Sequence, residues 1–140
     1  MKGRFGKTCP LGMDVPAMQN KTILIADDNT FIRRLVSVAL QPLGCTLIEA
    51  VDGEDTLRVI EAQRPDLVLL DLVMPKLSGF EVLEIIRATP KTADLTVIML
   101  TTAAAASDLA EGRQHGVAAY IVKPFKSAEL KDEVSKHLGH

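Results

Sequence analysis

From Lys21 onward, short apolar runs alternate with longer amphipathic ones, and turn-forming residues fall between them. Five of the short runs, residues 22–26, 45–50, 66–70, 95–100 and 118–122, have the length and aliphatic or β-branched content of buried strands. The intervening segments have the helical period. Asn29 is placed to cap a helix reaching about residue 43, with Phe31, Leu35, Val38 and Ala39 at helical spacing and Gly44 as its stop. Asp52 and Gly53 turn the chain into a second helix through Leu57 and Ile60, ended by the Arg64-Pro65 step. Residues 78–88 read as a third helix with Phe80, Leu83 and Ile86 inward. An alanine-rich stretch, 103–115, reads as a fourth helix closed by Gly116, and Ser127 is placed to cap a last helix to Leu138.

Five strand–helix repeats call for a parallel sheet with helices on both faces, an α/β fold of three layers (αβα). Right-handed crossovers make it doubly wound, and at this size the flavodoxin-like order 2-1-3-4-5 is expected. Strands 1 and 3 then lie side by side at the switch point, where ligands gather beyond the carboxyl ends of the strands.

Composition narrows the function. The 140 residues are 47% hydrophobic and 24% charged, enough for one core and no more than one domain, which we place at 21–140. Residues 1–20 begin with Lys2, Arg4 and Lys7 but continue with Pro10, Gly12, Asp14 and Pro16 in place of an apolar stretch. They read as a flexible extension and not as an export signal. A net charge of −2 and 4% aromatic residues without Trp offer no field or stacking platform for nucleic acid. No run approaches the roughly 18 apolar residues of a membrane helix, so a cytoplasmic protein without membrane insertion is expected. Cys9 and Cys45 are far apart and read as unpaired thiols.

The chemistry stands at the strand ends. Strand 1 is followed by Asp27 and Asp28, strand 3 by Asp71, strand 4 by Thr101 and Thr102, and strand 5 by Lys123 and Pro124. Each alone has an ordinary reading: an Asp as cap or turn former, a Thr as strand propensity, a Lys as a solvated loop residue. Together they put three carboxylates, a hydroxyl and an ammonium around one crevice. Like charges so close raise one another's pKa, and a hard divalent cation relieves this. An all-oxygen set without His or Cys suits Mg²⁺. A carboxylate beside such an ion can attack a phosphoryl donor, with Lys123 balancing the added charge and the Thr101 hydroxyl donating to a phosphoryl oxygen.

The segments ILIADDN (23–29), DLVLLDLVMPKLSGFEVL (66–83), IMLTT (98–102) and YIVKPF (120–125) together resemble the receiver domain of two-component response regulators, of the stand-alone chemotaxis-regulator type. The resemblance runs from Lys21 to about Leu138. It implies that Asp71 is the phosphoacceptor, and that Asp27, Asp28, Asp71 and the Val73 backbone carbonyl hold Mg²⁺, with Asp28 touching the ion directly. It further implies Thr101 as switch hydroxyl, Lys123 as phosphate-contacting lysine, Tyr120 as switch aromatic, and a Lys123-Pro124 bond that is often cis. Met74, Pro75 and Gly79 match the loop after the phosphoacceptor, where the glycine is expected to supply unusual backbone angles. The implied donor is a histidine kinase or histidine phosphotransfer protein. The implied downstream protein target binds the face made by the predicted helix 103–115, the fifth strand and the last helix. Catalysis is confined to the protein's own phosphorylation and dephosphorylation.

Two departures from the family pattern stand out. Ala118 and Ala119 occupy places where many transcription-factor receivers carry acids that support a dimer, so a monomer is expected. No output domain follows the last helix, which fits either a single-domain regulator or a piece of a longer chain. Rival readings remain at this point. A haloacid-dehalogenase-type phosphatase wants a second Asp where Val73 stands. A flavodoxin-like FMN carrier would suffer repulsion of its phosphate by Asp27 and Asp28, and a P-loop NTPase lacks its motif. A degenerate receiver acting as a phosphorylation-independent interaction module is the remaining alternative. His115, His137 and His140 fall at helix ends or the terminus, so the phosphodonor histidine is expected on another protein. Phe31, Ile32, Arg33 and Arg34, near the crevice, read either as a docking face for such a donor or simply as core plus solvated face.

Overall fold

The computed structural model describes residues 21–102 and 116–138. The extension 1–20, the helix expected over 103–115, and with them Cys9, His115 and His140, lie outside the described residues.

Five strands form in the order expected: β1 (Thr22–Ala26), β2 (Thr46–Ala50), β3 (Leu67–Asp71), β4 (Thr96–Thr102) and β5 (Ala119–Lys123). All neighbours pair in parallel, and the sheet order is β2-β1-β3-β4-β5. Between them run α1 (Thr30–Leu40), α2 (Gly53–Gln63) and α3 (Gly79–Ala88), and α4 (Ser127–Leu138) closes the domain. The three inner strands are apolar because both faces are covered, and β3 is buried from end to end. The fold is flavodoxin-like, with its core in two layers. Ile23, Ile25, Leu67, Leu69, Ile98, Leu100 and Ile121 pack under α1 and α4, while Leu24, Ala26, Val68, Leu70, Val97 and Met99 pack under α2 and α3.

The helix starts follow the local chemistry. The Asn29 side chain accepts from Ile32 N at 3.1 Å, and Asp52 accepts from Asp55 N at 2.8 Å. Ser78 and Glu81 form a reciprocal capping box at 3.2 and 2.8 Å. Ser127, expected as a cap, is instead the first helical residue, and the Lys126 carbonyl already accepts from Leu130 N at 3.0 Å. Pro42 turns the end of α1 into a 3₁₀ turn (Gln41–Leu43), and Gly44 stops it with φ +77°.

In α1 the sheet-facing residues are Val36, Ala39 and Leu40, whereas Phe31, Leu35 and Val38 are 65%, 42% and 61% exposed. The helix carries two apolar stripes, since Ile32, Val36, Ala39 and Leu43 repeat with the same period. Periodicity cannot choose between them; the direction in which the chain leaves β1 does.

Candidate functional site

Side chains alternate along a strand, so position in the ladder decides which layer each polar group joins. Asp27 continues the parity of Ile23 and Ile25, Asp71 that of Leu67 and Leu69, and Lys123 that of Ile121. All three therefore emerge on the α1/α4 side of the sheet. Thr101 and Tyr120 share the parity of Met99, its partner in register being Tyr120, and emerge on the α2/α3 side.

At the crevice the three expected carboxylates and the lysine come together. Carboxylate oxygens of Asp27, Asp28 and Asp71 all lie within 4.8 Å of one another. Asp27 is fully buried and Asp71 is 5% exposed, while Asp28 is open to solvent. Lys123 Nζ bridges the two buried acids, 2.9 Å from Asp27 Oδ2 and 3.1 Å from Asp71 Oδ1. The lysine makes two buried acids tolerable, because stripping the partner from a buried ion pair costs about 3–5 kcal/mol. Asp27 Oδ1 accepts from Asn29 N at 2.9 Å, and Val73 N lies 3.4 Å from Asp71 Oδ1, so the Val73 backbone stands at the site while its side chain faces solvent.

The electrostatics are strained in one direction. Burial, then the neighbouring charge of Asp27, push the Asp71 carboxyl up to about 6, against the opposing pull of Lys123. Burial alone would lower the Lys123 ammonium; the hydrogen bond it donates to Asp27 and the charges of Asp71 and Asp27 outweigh it and raise it instead. One lysine against three acids leaves the cluster negative and rich in oxygen donors, without His or Cys. Those are the properties of a site for a hard divalent cation, and the residues present fit Mg²⁺.

Thr101 is buried at the end of β4, and its hydroxyl donates to the Thr102 carbonyl at 3.2 Å. Tyr120 is half-buried against the α2/α3 layer. The Lys123-Pro124 bond is cis. The role expected of Gly79 is corrected. Its backbone is not in the left-handed region, which is taken nearby by Lys76 at φ +72°. Gly79 is instead a matter of space. A Cβ there would lie 2.5 Å from the Asp71 carbonyl oxygen and 2.8 Å from Leu72 Cα, so only glycine lets α3 begin directly against the backbone of Asp71.

Three features escaped the sequence. Arg33, noticed only as part of a docking face, points inward: Nη1 donates to the Asp27 carbonyl at 2.7 Å and Nε to Glu49 at 2.7 Å. Gly53 packs against Leu77 with no room for a Cβ and donates to the Pro75 carbonyl at 3.3 Å. Lys76 reaches Asp52 and Glu54 at 3.6 Å each, tying the loop after Asp71 to the start of α2. None of these pairs has a spacing that marks it in one dimension. His137 lies on α4, 3.6 Å from Glu133. Cys45 is half-buried, and burial followed by the charge of Asp66 pushes its thiol up to about 11. Among the described residues no helix is long and apolar enough to cross a membrane.

The chain is 41% identical over 117 residues to a probable transcriptional regulator, ycf27, of Porphyridium aerugineum, covering 84% of this chain and 48% of that one. It is 33% identical over 116 residues to the protein PilG of Pseudomonas aeruginosa, covering 83% and 86%. The chain thus spans about half the length of the first of these relatives and most of the second. Among solved structures, the receiver domain of a sensor histidine kinase from Pseudomonas aeruginosa, with a magnesium ion coordinated in its active-site cleft, superimposes with a TM-score of 0.77. Its identity is 31%, covering 86% of this chain and 99% of that one. The family model described as the response regulator receiver domain matches residues 23–135, and the chain belongs to that family.

Proposed function

We propose that Asp71 accepts a phosphoryl group from a phosphohistidine on a separate histidine kinase or histidine phosphotransfer protein, and that the phosphorylated chain is read by a downstream protein. The observation that carries this is the buried Asp71 at an open strand end, with Asp27 and Asp28 within 4.8 Å and Lys123 bridging it to Asp27. Asp27, Asp28, Asp71 and the Val73 carbonyl would hold Mg²⁺, which when bound supplies positive charge to the transferring phosphoryl oxygens. A carboxyl held at about 6 without metal is ionised at neutral pH, so Asp71 is present as the carboxylate that can act as nucleophile. An Asp71 oxygen forms a bond to phosphorus as the donor's phosphorus–nitrogen bond breaks. The leaving imidazole nitrogen keeps the bonding pair and takes up a proton. Lys123 is already in contact with Asp71, so the ammonium needs no long movement to meet the new phosphoryl charge. Loss of the group to water regenerates Asp71 and releases inorganic phosphate. No other substrate is turned over in this reading, so the protein is a cytoplasmic signalling component and not a metabolic enzyme.

Thr101 would exchange its bond to the Thr102 carbonyl for one to a phosphoryl oxygen, and Tyr120 would respond, reshaping the surface around β5 and α4 where the target binds. The donor would approach over the exposed Phe31, Leu35 and Val38 of α1, beside the crevice. A monomer is the working unit.

Intact mass spectrometry after incubation with acetyl phosphate or phosphoramidate and Mg²⁺ tests the proposal. One base-labile phosphoryl group is expected on the wild type and none on Asp71→Asn. An equal adduct on the variant would mean a different nucleophile. No adduct on the wild type would favour a phosphorylation-independent interaction module.

A further inference from the structure

We infer that Arg33 is a positioning residue for the metal pocket: aimed by Glu49 of β2, its guanidinium holds the backbone of Asp27 so that the Asp27 carboxylate faces the cation. This rests on the metal reading of the acidic cluster proposed above.

Asp27 lies one residue past the end of β1, where the ladder no longer supplies donors to its carbonyl. Its N–H still donates to Ala50 O at 3.2 Å, and its two carboxylate oxygens take Asn29 N and Lys123 Nζ, both at 2.9 Å. The carbonyl accepts from Arg33 Nη1 at 2.7 Å. Arg33 is held in turn: Nε donates to Glu49 Oε1 at 2.7 Å and Nη2 to Thr30 Oγ1 at 3.3 Å. Its side chain is only 11% exposed although it belongs to a surface helix. The contacts diverge from one planar fork, which a lysine ammonium on a flexible stem cannot reproduce. Arg33 thus joins β2, the first turn of α1 and the end of β1 at the residue that must keep its carboxylate fixed.

A positive charge beside a cation site opposes metal binding, so charge and positioning predict opposite effects when Arg33 is altered. Arg33→Lys separates them by keeping the charge and losing the fork. Outer partners of metal ligands typically contribute 10- to 100-fold in affinity. We expect Arg33→Lys to weaken Mg²⁺ about tenfold, and Glu49→Gln, which loosens the aim but leaves the bond to Asp27, about threefold.

The test is a Mg²⁺ titration of the full chain followed by amide NMR shifts, with urea denaturation of each variant in metal-free buffer. Weakened Mg²⁺ binding in folded Arg33→Lys, and less so in Glu49→Gln, supports positioning. A lowered denaturation midpoint with Mg²⁺ affinity within twofold of wild type would mean Arg33 only braces the fold, and overturns the inference. If Arg33→Lys does not fold, Glu49→Gln decides, and unchanged affinity there overturns it. A wild type that binds no Mg²⁺ overturns the metal reading itself and this inference with it.

Discussion

Replacing Asp71 with asparagine removes a carboxylate that the fold holds against its preference. Burial and Asp27 raise it from its ordinary 3.8 to about 6, so the native state binds this proton more tightly than the unfolded chain does. The linked stability is present below pH 3.8 and is lost as pH rises through about 6. A shift of about 2 units corresponds to about 3 kcal/mol of strain above pH 7, falling to about 1 kcal/mol near pH 4.5. Asparagine cannot ionise and escapes this strain, but it also deprives Lys123 of one of its two partners at about 3 Å. We therefore expect Asp71→Asn to be about 1–2 kcal/mol more stable than wild type at pH 7.5 without divalent metal, with most of the difference gone at pH 4.5. Saturating Mg²⁺ should narrow the gap at pH 7.5, because a ligand at 100 times its dissociation constant adds about 2.7 kcal/mol to the form that binds it. Urea denaturation at the two pH values, in EDTA and in Mg²⁺, measures all three quantities. A variant no more stable than wild type at pH 7.5, or an equal gain at both pH values, would refute the claim that Asp71 is strained by burial and by its acidic neighbour.

Two further outcomes follow from the site. Gly79→Ala gains helix propensity but drives a methyl into the backbone at Asp71, so it should lose about 1–3 kcal/mol by denaturant midpoint, whereas Ser78→Ala should lose about 1 kcal/mol as a plain cap deletion. A Gly79→Ala protein as stable as wild type would show that α3 can retreat. Thr101→Ala, compared with wild type with and without beryllofluoride as phosphoryl mimic, should lose the amide-shift or hydrogen-exchange response around Tyr120. An equal response in both proteins would remove Thr101 from the signalling path.

The strand order was legible because apolar runs, caps and turn residues agreed with one another: Asn29 and Asp52 start helices where their types predict, and Gly44 stops one. The acidic cluster was legible because parallel α/β topology sends every strand's carboxyl end to the same edge. What stayed hidden depends on three dimensions. Two apolar stripes on α1 share one period, so spacing alone did not tell that Phe31, Leu35 and Val38 lie outward. Arg33 and Glu49 are 16 positions apart and meet only after β1 and β2 pair. Gly79 was attributed to backbone angles, the usual reason for a loop glycine, when contact with Asp71 excludes a side chain there.

The alternation that sends Asp27, Asp71 and Lys123 to one side of the sheet and Thr101 and Tyr120 to the other has an evolutionary consequence. Residues that would meet a donor ride on α1, and the aromatic that would report the state packs in the opposite layer, so the two belong to different packing neighbourhoods. Substitutions at Phe31, Leu35 or Val38, all outside the core, can alter donor choice without repacking the layer that contains Tyr120. After a gene duplication, one copy can acquire a new input by surface drift on a single helix while inheriting the layer that holds Tyr120 unchanged.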